Sequence, residues 1–242
     1  MEPTRLLYME DMAALEGTAT VQEVVDLEGK TIVFLDQTLF YAQGGGQPYD
    51  KGSITTDSAT FEVEEVRYMD GMIKHIGHFT SGRFASGDAV QLHVEPVRRA
   101  LHRRLHSGGH VVDLALKRLD IPWIPGKGYH FPDGPYVEYA GSLGDQDRDA
   151  LRAEIEKACN DIIAENITTR IEFVDADELQ KRGFAIPPTL APGKPLRIVY
   201  YGDFGVPCGG THVSELADLR SMTIRKLKPE GGNIRVAYDV ER

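Results

Sequence analysis

The sequence predicts an α+β protein in which a small N-terminal β-barrel, residues 1–95, precedes a mixed α+β domain, residues 96–242. Two observations support this division. The spacing of apolar residues changes at Pro96 from a strand pattern to a helix pattern. The charge changes at the same place, because residues 1–96 hold 16 acidic and 6 basic residues whereas the rest of the chain holds 21 of each. A domain boundary near residue 95 is the economical interpretation of both changes.

The first 95 residues contain short segments in which apolar and polar residues alternate, as expected for strands that bury one face. The Asp-Leu-Glu-Gly stretch at 26–29 and the Asp70-Gly71 pair supply turns between such strands. Five or more strands at this spacing are typical of a small barrel or sandwich. The predicted strands are Ala19–Val25, Thr31–Asp36, Phe61–Met69, Met72–Phe79 and Ala89–Val94.

The remaining chain mixes helices and strands. After Pro96 apolar residues recur at helical spacing as far as Leu119, and Pro122 ends this helix. The segment Trp123–Gly141 is rich in Gly, Pro and Tyr and is expected to form loops and short strands. No regular βαβ rhythm follows, which favours α+β over a doubly wound sheet. The other predicted elements are helices Asp145–Asn166 and Ala176–Arg182 and strands Ile171–Val174, Leu196–Tyr201, Met222–Lys226 and Ile234–Asp239.

Composition excludes several classes of protein. With 41% hydrophobic and 26% charged residues, the chain is neither fibrous nor wholly disordered. It contains no run of 18 apolar residues and no signal-peptide pattern at its start, so we expect a cytoplasmic protein with no membrane partner. Two cysteines, Cys159 and Cys208, cannot form a disulfide framework. Clusters of Arg and Lys after residue 97 are compatible with a phosphate-bearing ligand, although solvated surfaces are the simpler interpretation.

Two histidine motifs concentrate the chemistry. His106 and His110 are four residues apart in the predicted helix, so their side chains share a face. In Cys208-Gly-Gly-Thr-His212 the glycines allow the thiol and the imidazole to turn back onto one point. Three imidazoles and one thiolate suit tetrahedral zinc and do not suit magnesium or calcium. On spacing alone an ordinary core role stays equally open, with the histidines packed on the helix and Cys208 as a small apolar residue.

The third notable feature is a run of three glycines, Gly44, Gly45 and Gly46, followed by Gln47. Consecutive glycines permit backbone conformations and close approaches that other residues forbid, so the segment could line a ligand pocket or contact another chain. A long hairpin loop of the barrel is an equally open interpretation. The segment is neither a P-loop nor a dinucleotide fingerprint, because no Gly-Lys-Ser/Thr ending follows.

Together these motifs resemble the editing domain of alanyl-tRNA synthetase and its free-standing relatives, the AlaX-type alanyl-tRNA editing proteins. The resemblance spans about residues 30 to 240, and its most specific element is Cys-Gly-Gly-Thr-His-Val. The chain is similar to the medium-length free-standing type, which implies a β-barrel followed by an α+β zinc-binding editing domain. The matching motifs, in the order of the family, are Phe40-Tyr41 before Gly44-Gly45-Gly46-Gln47, His106-x-x-x-His110 and Cys208-Gly-Gly-Thr-His212-Val213.

The resemblance implies a trans-editing hydrolase that cleaves the ester between serine and tRNA-Ala, with glycine as a second amino acid that the sequence leaves open. The implied cofactor is Zn²⁺, and the implied partner is mischarged tRNA-Ala rather than DNA. A Thr hydroxyl can hydrogen-bond to serine, whereas alanine would leave it unsatisfied at about 1–3 kcal/mol. The implied metal ligands are His106, His110, Cys208 and His212, and the implied substrate-binding residues are Thr38, Gln47, Gly44, Gly45 and Gly46.

Several alternatives stay open. The chain could be a zinc-dependent hydrolase of small acylated amino acids, or a tRNA-binding module without chemistry. Four protein ligands would close the tetrahedron and leave no position for water, so either one ligand is loose and the ion activates water, or the ion orients the substrate. The Gly108-Gly109 pair predicts a helix that is locally frayed or very closely packed. His102 matches no ligand and is expected to lie partly exposed. The oligomeric state is not predicted.

Overall fold

A computed structural model describes residues 1–27, 29–184 and 195–241. The chain forms two compact units, each built from several segments. The predicted division into domains 1–95 and 96–242 stays a prediction. The first unit comprises Met1–Gly44, Pro48–Ala100 and Phe173–Arg197, and the second comprises Gly45–Gln47, Leu101–Glu172 and Ile198–Arg242.

The described residues contain short and long strands together with four α-helices and one 3-10 helix, Leu216–Leu219. The helices are α1 (Leu7–Glu10), α2 (Pro96–Arg118), α3 (Arg148–Ala164) and α4 (Ala176–Lys181). The strands are β1 (Arg5–Leu6), β2 (Glu16–Leu27), β3 (Lys30–Leu35), β4 (Gln37–Thr38), β5 (Gly52–Thr55), β6 (Thr60–Met69), β7 (Met72–Ser81), β8 (Ala89–Val94), β9 (Ile124–Tyr129), β10 (Tyr136–Ala140), β11 (Thr169–Phe173), β12 (Arg197–Tyr201), β13 (Phe204–Pro207), β14 (Met222–Glu230) and β15 (Asn233–Val240).

The first unit is built on a closed antiparallel barrel with the strand order β2-β3-β7-β6-β5-β8. The five strands predicted from alternation are all present, and the barrel is confirmed. Strand β5 was not predicted, because it lies beside the glycine run and is only four residues long. Its Gly52 passes so close to β8 that a Cβ atom would lie 2.0 Å from the carbonyl oxygen of His93. The inward apolar side chains include Val21, Val33, Leu35, Ile54, Phe61, Val63, Val66, Ile73, Val90 and Leu92.

The second unit has one core shared by helices α2 and α3 and a four-stranded sheet of order β14-β15-β10-β9. A three-stranded sheet has the order β11-β12-β13. Helix α3 begins where the Asp147 carboxylate accepts hydrogen bonds from the N–H groups of Asp149 and Ala150, both at 2.9 Å. The α+β class is therefore confirmed, together with the two long helices and the β14–β15 hairpin. No helix in the described ranges is long and apolar enough to cross a membrane.

Helix α2 is closely packed at its glycine pair and continues through it. A Cβ atom on Gly108 would lie 2.9 Å from Val240 Cγ1 and 3.1 Å from Tyr238 Cε2. One on Gly109 would lie 2.4 Å from Cε1 of the His130 ring. Each helical glycine costs roughly 0.5–1 kcal/mol, and here that cost is offset by contacts that a larger residue would block. Of the two alternatives that the sequence left open, close packing is the one observed.

The expectation of a partly exposed His102 is wrong. The side chain is buried, with 1% of its surface exposed. It lies one helical turn before His106, and the apolar stripe of α2 is broad enough to carry both positions inward. A broad stripe of this kind hides polar residues that spacing alone assigns to the surface.

A buried ion pair fixes both ends of the glycine-containing segment within the first unit. The guanidinium of Arg99 donates to Asp50 Oδ2 from Nε at 3.0 Å and from Nη2 at 2.5 Å, and also to the Leu39 carbonyl at 2.6 Å. Asp50 Oδ2 accepts a further hydrogen bond from the Tyr41 N–H at 2.7 Å. Both charged side chains are 1% exposed. The pair therefore acts as a buried cross-link between the start and the end of this segment.

Replacing Asp50 by Ala should destabilise the protein strongly, because it leaves a buried guanidinium without its counter-ion. Losses of about 3–5 kcal/mol in the free energy of unfolding are typical for such a change. Urea unfolding followed by circular dichroism measures it. Glu10→Ala, which breaks the exposed pair with Arg5, is the control and should change stability little. Equal losses in the free energy of unfolding from the two substitutions would show that burial of the Arg99 guanidinium does not require the Asp50 carboxylate.

Candidate metal centre

The four predicted metal ligands come together in the second unit. Their donor atoms all lie within 4.8 Å of one another. The sulfur of Cys208 is 3.4 Å from Nε2 of His106, although the two residues are 102 positions apart. It is 3.3 Å from Nε2 of His212. His106 and His110 project from adjacent turns of α2, and Cys208 directly follows β13.

Each of the three imidazoles has a hydrogen-bond partner at its outer nitrogen, Nδ1. Amide and carboxylate oxygens only accept, so His106 and His110 each carry a proton on Nδ1, and Nε2 is left as the nitrogen that faces the cluster. Metal-bound histidines almost always have such outer partners, which fix the tautomer and the ring orientation. The three pairs are His106 with Gln47 Oε1 at 2.7 Å, His110 with Asp113 Oδ2 at 2.9 Å, and His212 with Tyr201 Oη at 3.1 Å.

The inner side of the cluster fits a metal ion. Nε2 of His110 is buried and has no hydrogen-bond partner among the described residues. An unsatisfied buried nitrogen costs about 1–3 kcal/mol, and coordination of a cation would remove that cost. Burial lowers the pKa of His110, but Asp113 and the Cys208 sulfur raise it more, to about 10. A cation bound to this donor set would take the place of the stabilising proton.

The second glycine of the Cys-Gly-Gly-Thr-His motif has a specific packing role. A Cβ atom on Gly210 would lie 2.1 Å from Cε1 and 2.2 Å from Nδ1 of His106. The Gly210 N–H also donates to the Cys208 sulfur at 3.4 Å. Only glycine lets the loop pass the edge of the helix-borne imidazole, so this residue joins the two motifs sterically.

Helix α2 also holds the loop backbone after Cys208. The Arg103 Nε donates to the carbonyl of His212 at 2.5 Å, and Ser107 Oγ accepts from the N–H of Val213 at 3.0 Å. In the sequence Ser107 has no evident role. These contacts fix the position of His212 relative to the helix that bears the other two imidazoles.

A fourth imidazole, His130, lies beside the cluster and was missed by the sequence analysis. Its ring stacks on His106 with 4.4 Å between centroids and 22° between planes. Its Nδ1 is 2.7 Å from the hydroxyl of Tyr238, which in turn donates to the carbonyl of Leu105. Burial, aided by the charge of His110, lowers the pKa of His130 to about 3, so the ring is neutral. His130 has no spacing relation to the other histidines, which is why no pattern in the sequence pointed to it.

The three glycines before Gln47 differ from one another. Gly45 and Gly46 have positive φ angles of 53° and 77°. A Cβ atom on Gly46 would lie 2.2 Å from the carbonyl oxygen of Gly128, whereas one on Gly44 would have no atom nearer than 4.0 Å. The Gly46 carbonyl accepts from the N–H of His130 at 2.8 Å. The latter two glycines are thus required for a close turn, and their role in substrate binding stays a prediction.

Thr38 lies in the first unit and forms a buried network of its own. Nδ1 of His75 is 3.0 Å from the carbonyl of Val33, so it carries the proton, and Nε2 accepts from the Thr38 hydroxyl at 2.8 Å. Thr38 Oγ1 accepts from the N–H of Phe40 at 3.1 Å. Burial lowers the pKa of His75 to about 4, although its hydrogen bond to Val33 opposes this. The hydroxyl proton of Thr38 is therefore committed to a neutral imidazole.

Comparison with known proteins identifies the class. A family model described as tRNA synthetases class II (A) matches residues 6–98. The alanine–tRNA ligase of Haloquadratum walsbyi is 31% identical over 97% of this chain, and that of Halorubrum lacusprofundi is 28% identical over 97%. In each case the match covers 25% of the ligase, so this chain spans about a quarter of the length of these relatives. The chain thus shares a region with class II alanine–tRNA ligases.

A further relative matches this chain over nearly the full length of both proteins. The alanyl-tRNA editing protein AlaX-M of Methanosarcina barkeri is 32% identical over 97% of this chain and 98% of its own length. The chain belongs to the family of free-standing, AlaX-type alanyl-tRNA editing proteins. The resemblance inferred from the three motifs is confirmed.

Gly210→Ala should weaken metal binding at least tenfold, because its methyl group must displace the His106 ring or the loop. Competition between the purified protein and a chromophoric chelator for Zn²⁺ measures this. Gly134→Ala is the matched control: a Cβ atom there meets nothing closer than 4.0 Å, so affinity should be unchanged. Wild-type affinity in a folded Gly210→Ala protein would contradict the steric argument.

The stability of the protein should fall as the pH is lowered from about 6.5 to about 4, partly because of His75. The unfolded chain binds a proton on this imidazole near pH 6.5, whereas the folded protein does so only near pH 4. The difference is about 3 kcal/mol in the free energy of unfolding, lost progressively across that window. Urea titrations of wild type and His75→Gln at several pH values test this. If His75→Gln leaves the dependence of the free energy of unfolding on pH unchanged, His75 is not the source of that dependence.

Proposed function

We propose that this protein deacylates mischarged tRNA-Ala by hydrolysing the ester that links serine to the tRNA. The observation that carries the proposal is the convergence of three imidazole Nε2 atoms and one sulfur within 4.8 Å, in a chain that belongs to an alanyl-tRNA editing family. Glycine esterified to the same tRNA is the second substrate to be tested. The protein would therefore be an aminoacyl-tRNA deacylase that works apart from any aminoacylating enzyme.

We assign Zn²⁺ to the four donors His106, His110, Cys208 and His212. Nitrogen and thiolate ligands favour zinc over magnesium or calcium, and four donors suit its tetrahedral geometry. When bound, zinc would supply a Lewis acid, and release of one of the four ligands would open the position at which it could polarise a carbonyl or lower the pKa of a water. Cys208 is partly exposed whereas His212 is fully buried, so the substrate would approach from the side of the thiolate.

Thr38 is the residue we assign to the choice of amino acid. Its hydroxyl donates to His75, so it can offer only an oxygen lone pair to a ligand. The serine hydroxyl can donate to that oxygen, and alanine cannot. A partner missing at such a site costs a factor of ten or more in discrimination. This direction of the hydrogen bond also gives glycyl esters no advantage over alanyl esters at Thr38.

The partner is tRNA-Ala, and exposed cations of the second unit are the groups that would neutralise its phosphates. Arg225, Lys226 and Lys228 lie exposed on β14. Each phosphate contact releases counter-ions, so binding should weaken steeply as salt rises. A hydrolase of small acylated amino acids would lack this salt dependence and would act without the tRNA.

The test is deacylation of Ser-, Gly- and Ala-tRNA-Ala by wild type and by Cys208→Ala, with zinc content measured on the same samples. Wild type should hydrolyse the seryl ester and spare the alanyl ester, and Cys208→Ala should lose both zinc and activity. Cys159→Ala is the matched control, since that thiol lies in the apolar core and should be dispensable for both.

The same assay tests the assignment of Thr38. Thr38→Val should reduce the preference for seryl over alanyl esters about tenfold.

A folded, zinc-free Cys208→Ala protein that deacylates at the wild-type rate would refute metal-dependent hydrolysis. Turnover of small seryl esters at the same rate, insensitive to salt, would instead favour the small-substrate hydrolase, and tRNA binding without hydrolysis would favour a binding module.

A further inference from the structure

Gln47 ends the glycine run and is fully buried, with its amide directed at both halves of the metal centre. Its Oε1 is 2.7 Å from Nδ1 of His106 and accepts the N–H of Thr211 at 2.9 Å. Its Nε2 donates to the hydroxyl oxygen of Thr211 at 2.9 Å. We propose that Gln47 is a positioning residue that holds His106 in the tautomer able to bind metal. This rests on the metal site of the proposed function.

The orientation of the Gln47 amide is fixed independently of the histidine. The N–H of Thr211 can only donate, so the amide atom facing it must be the oxygen. The same oxygen faces His106 Nδ1 and can only accept, which places the imidazole proton on Nδ1. The lone pair of Nε2 then points toward the Cys208 sulfur, 3.4 Å away. A reversed tautomer would aim a proton at the metal position instead.

One amide therefore positions a ligand on the helix and a segment of the loop together. Thr211 lies between Cys208 and His212, so its two hydrogen bonds to Gln47 hold the loop in register with His106. The preceding glycines make this approach feasible. Gly45–Gln47 belongs to the second unit although the residues on either side belong to the first, and Gly46 has no space for a side chain.

If Gln47 only filled buried space, the two variants Gln47→Met and Gln47→Glu would rank in Zn²⁺ affinity in the opposite order from that expected if Gln47 acts as a hydrogen-bond acceptor. Methionine matches glutamine in length and fills the same buried space without accepting from Nδ1. Glutamate keeps the acceptor, and its two oxygens can take the His106 and Thr211 donors. A carboxylate partner also makes an imidazole a stronger ligand, and His110 has such a partner in Asp113. A buried charge in a space-filling position would by contrast be the worse substitution.

The test measures Zn²⁺ affinity of the full chain by chelator competition, without tRNA, for wild type, Gln47→Glu and Gln47→Met. We expect Gln47→Glu to bind Zn²⁺ as tightly as wild type or more tightly, and Gln47→Met to lose about 10–100-fold in Zn²⁺ affinity. Gln146→Met is the matched control: it makes the same change at an exposed position, so the affinity should stay within a few-fold of wild type. A Zn²⁺ affinity of Gln47→Met within twofold of wild type would overturn the proposal, and so would Gln47→Glu as the weakest binder of the three proteins.

Two spectroscopic readouts distinguish positioning from stability. In the metal-free wild-type protein, nitrogen-15 NMR of the histidine side chains should find His106 protonated at Nδ1, and protonation at Nε2 instead would refute the proposal without any variant. With Co²⁺ in place of zinc, the visible spectrum should be preserved in Gln47→Glu and altered in Gln47→Met. Neither measurement involves deacylation, so a protein that binds metal in the expected order but spares seryl-tRNA would refute the proposed function and leave this inference intact.

Discussion

The structure of the second unit depends on satisfying both nitrogens of three buried imidazoles. Each Nδ1 has an outer partner, and the three Nε2 atoms face one another and a sulfur within 4.8 Å. Nitrogen lone pairs and a sulfur atom this close repel one another unless a positive charge lies between them. The raised pKa of His110 has the same origin, because a proton on His110 also supplies positive charge beside these donors. A cation at the centre would satisfy all four donors together.

The tight packing of these rings explains the glycines around them. Gly210 lies against His106, Gly109 lies against His130, and Gly46 lies against Gly128. Each glycine is required because of a close contact to one particular neighbour, and only in some cases because of backbone conformation. The glycine-rich motifs therefore lie where segments far apart in the chain come into close contact. That also accounts for the helical Gly108-Gly109 pair, which would be unfavourable in an isolated helix.

The first unit is stabilised differently, by polar groups buried within an apolar barrel. The Arg99–Asp50 pair holds the segment that carries the glycines, and the Thr38–His75 network is bonded to the backbone of β3 through Val33. Neither pair could be found from spacing, since their members are 49 and 37 positions apart. Buried groups of this kind are costly when unpaired, so each network fixes a single local arrangement.

The sequence by itself determined the class of fold, the long strands, helices α2 and α3, and the two motifs that carry the candidate metal ligands, because these follow from local periodicity and from patterns only five residues long. What tertiary structure alone decided is which residues surround those motifs. Asp113, Tyr201 and His130 carry no pattern of their own, and the burial of His102 and the short strand β5 follow from packing against distant segments. Local patterns report how a segment folds, whereas partners separated by dozens of residues meet only when the whole core forms.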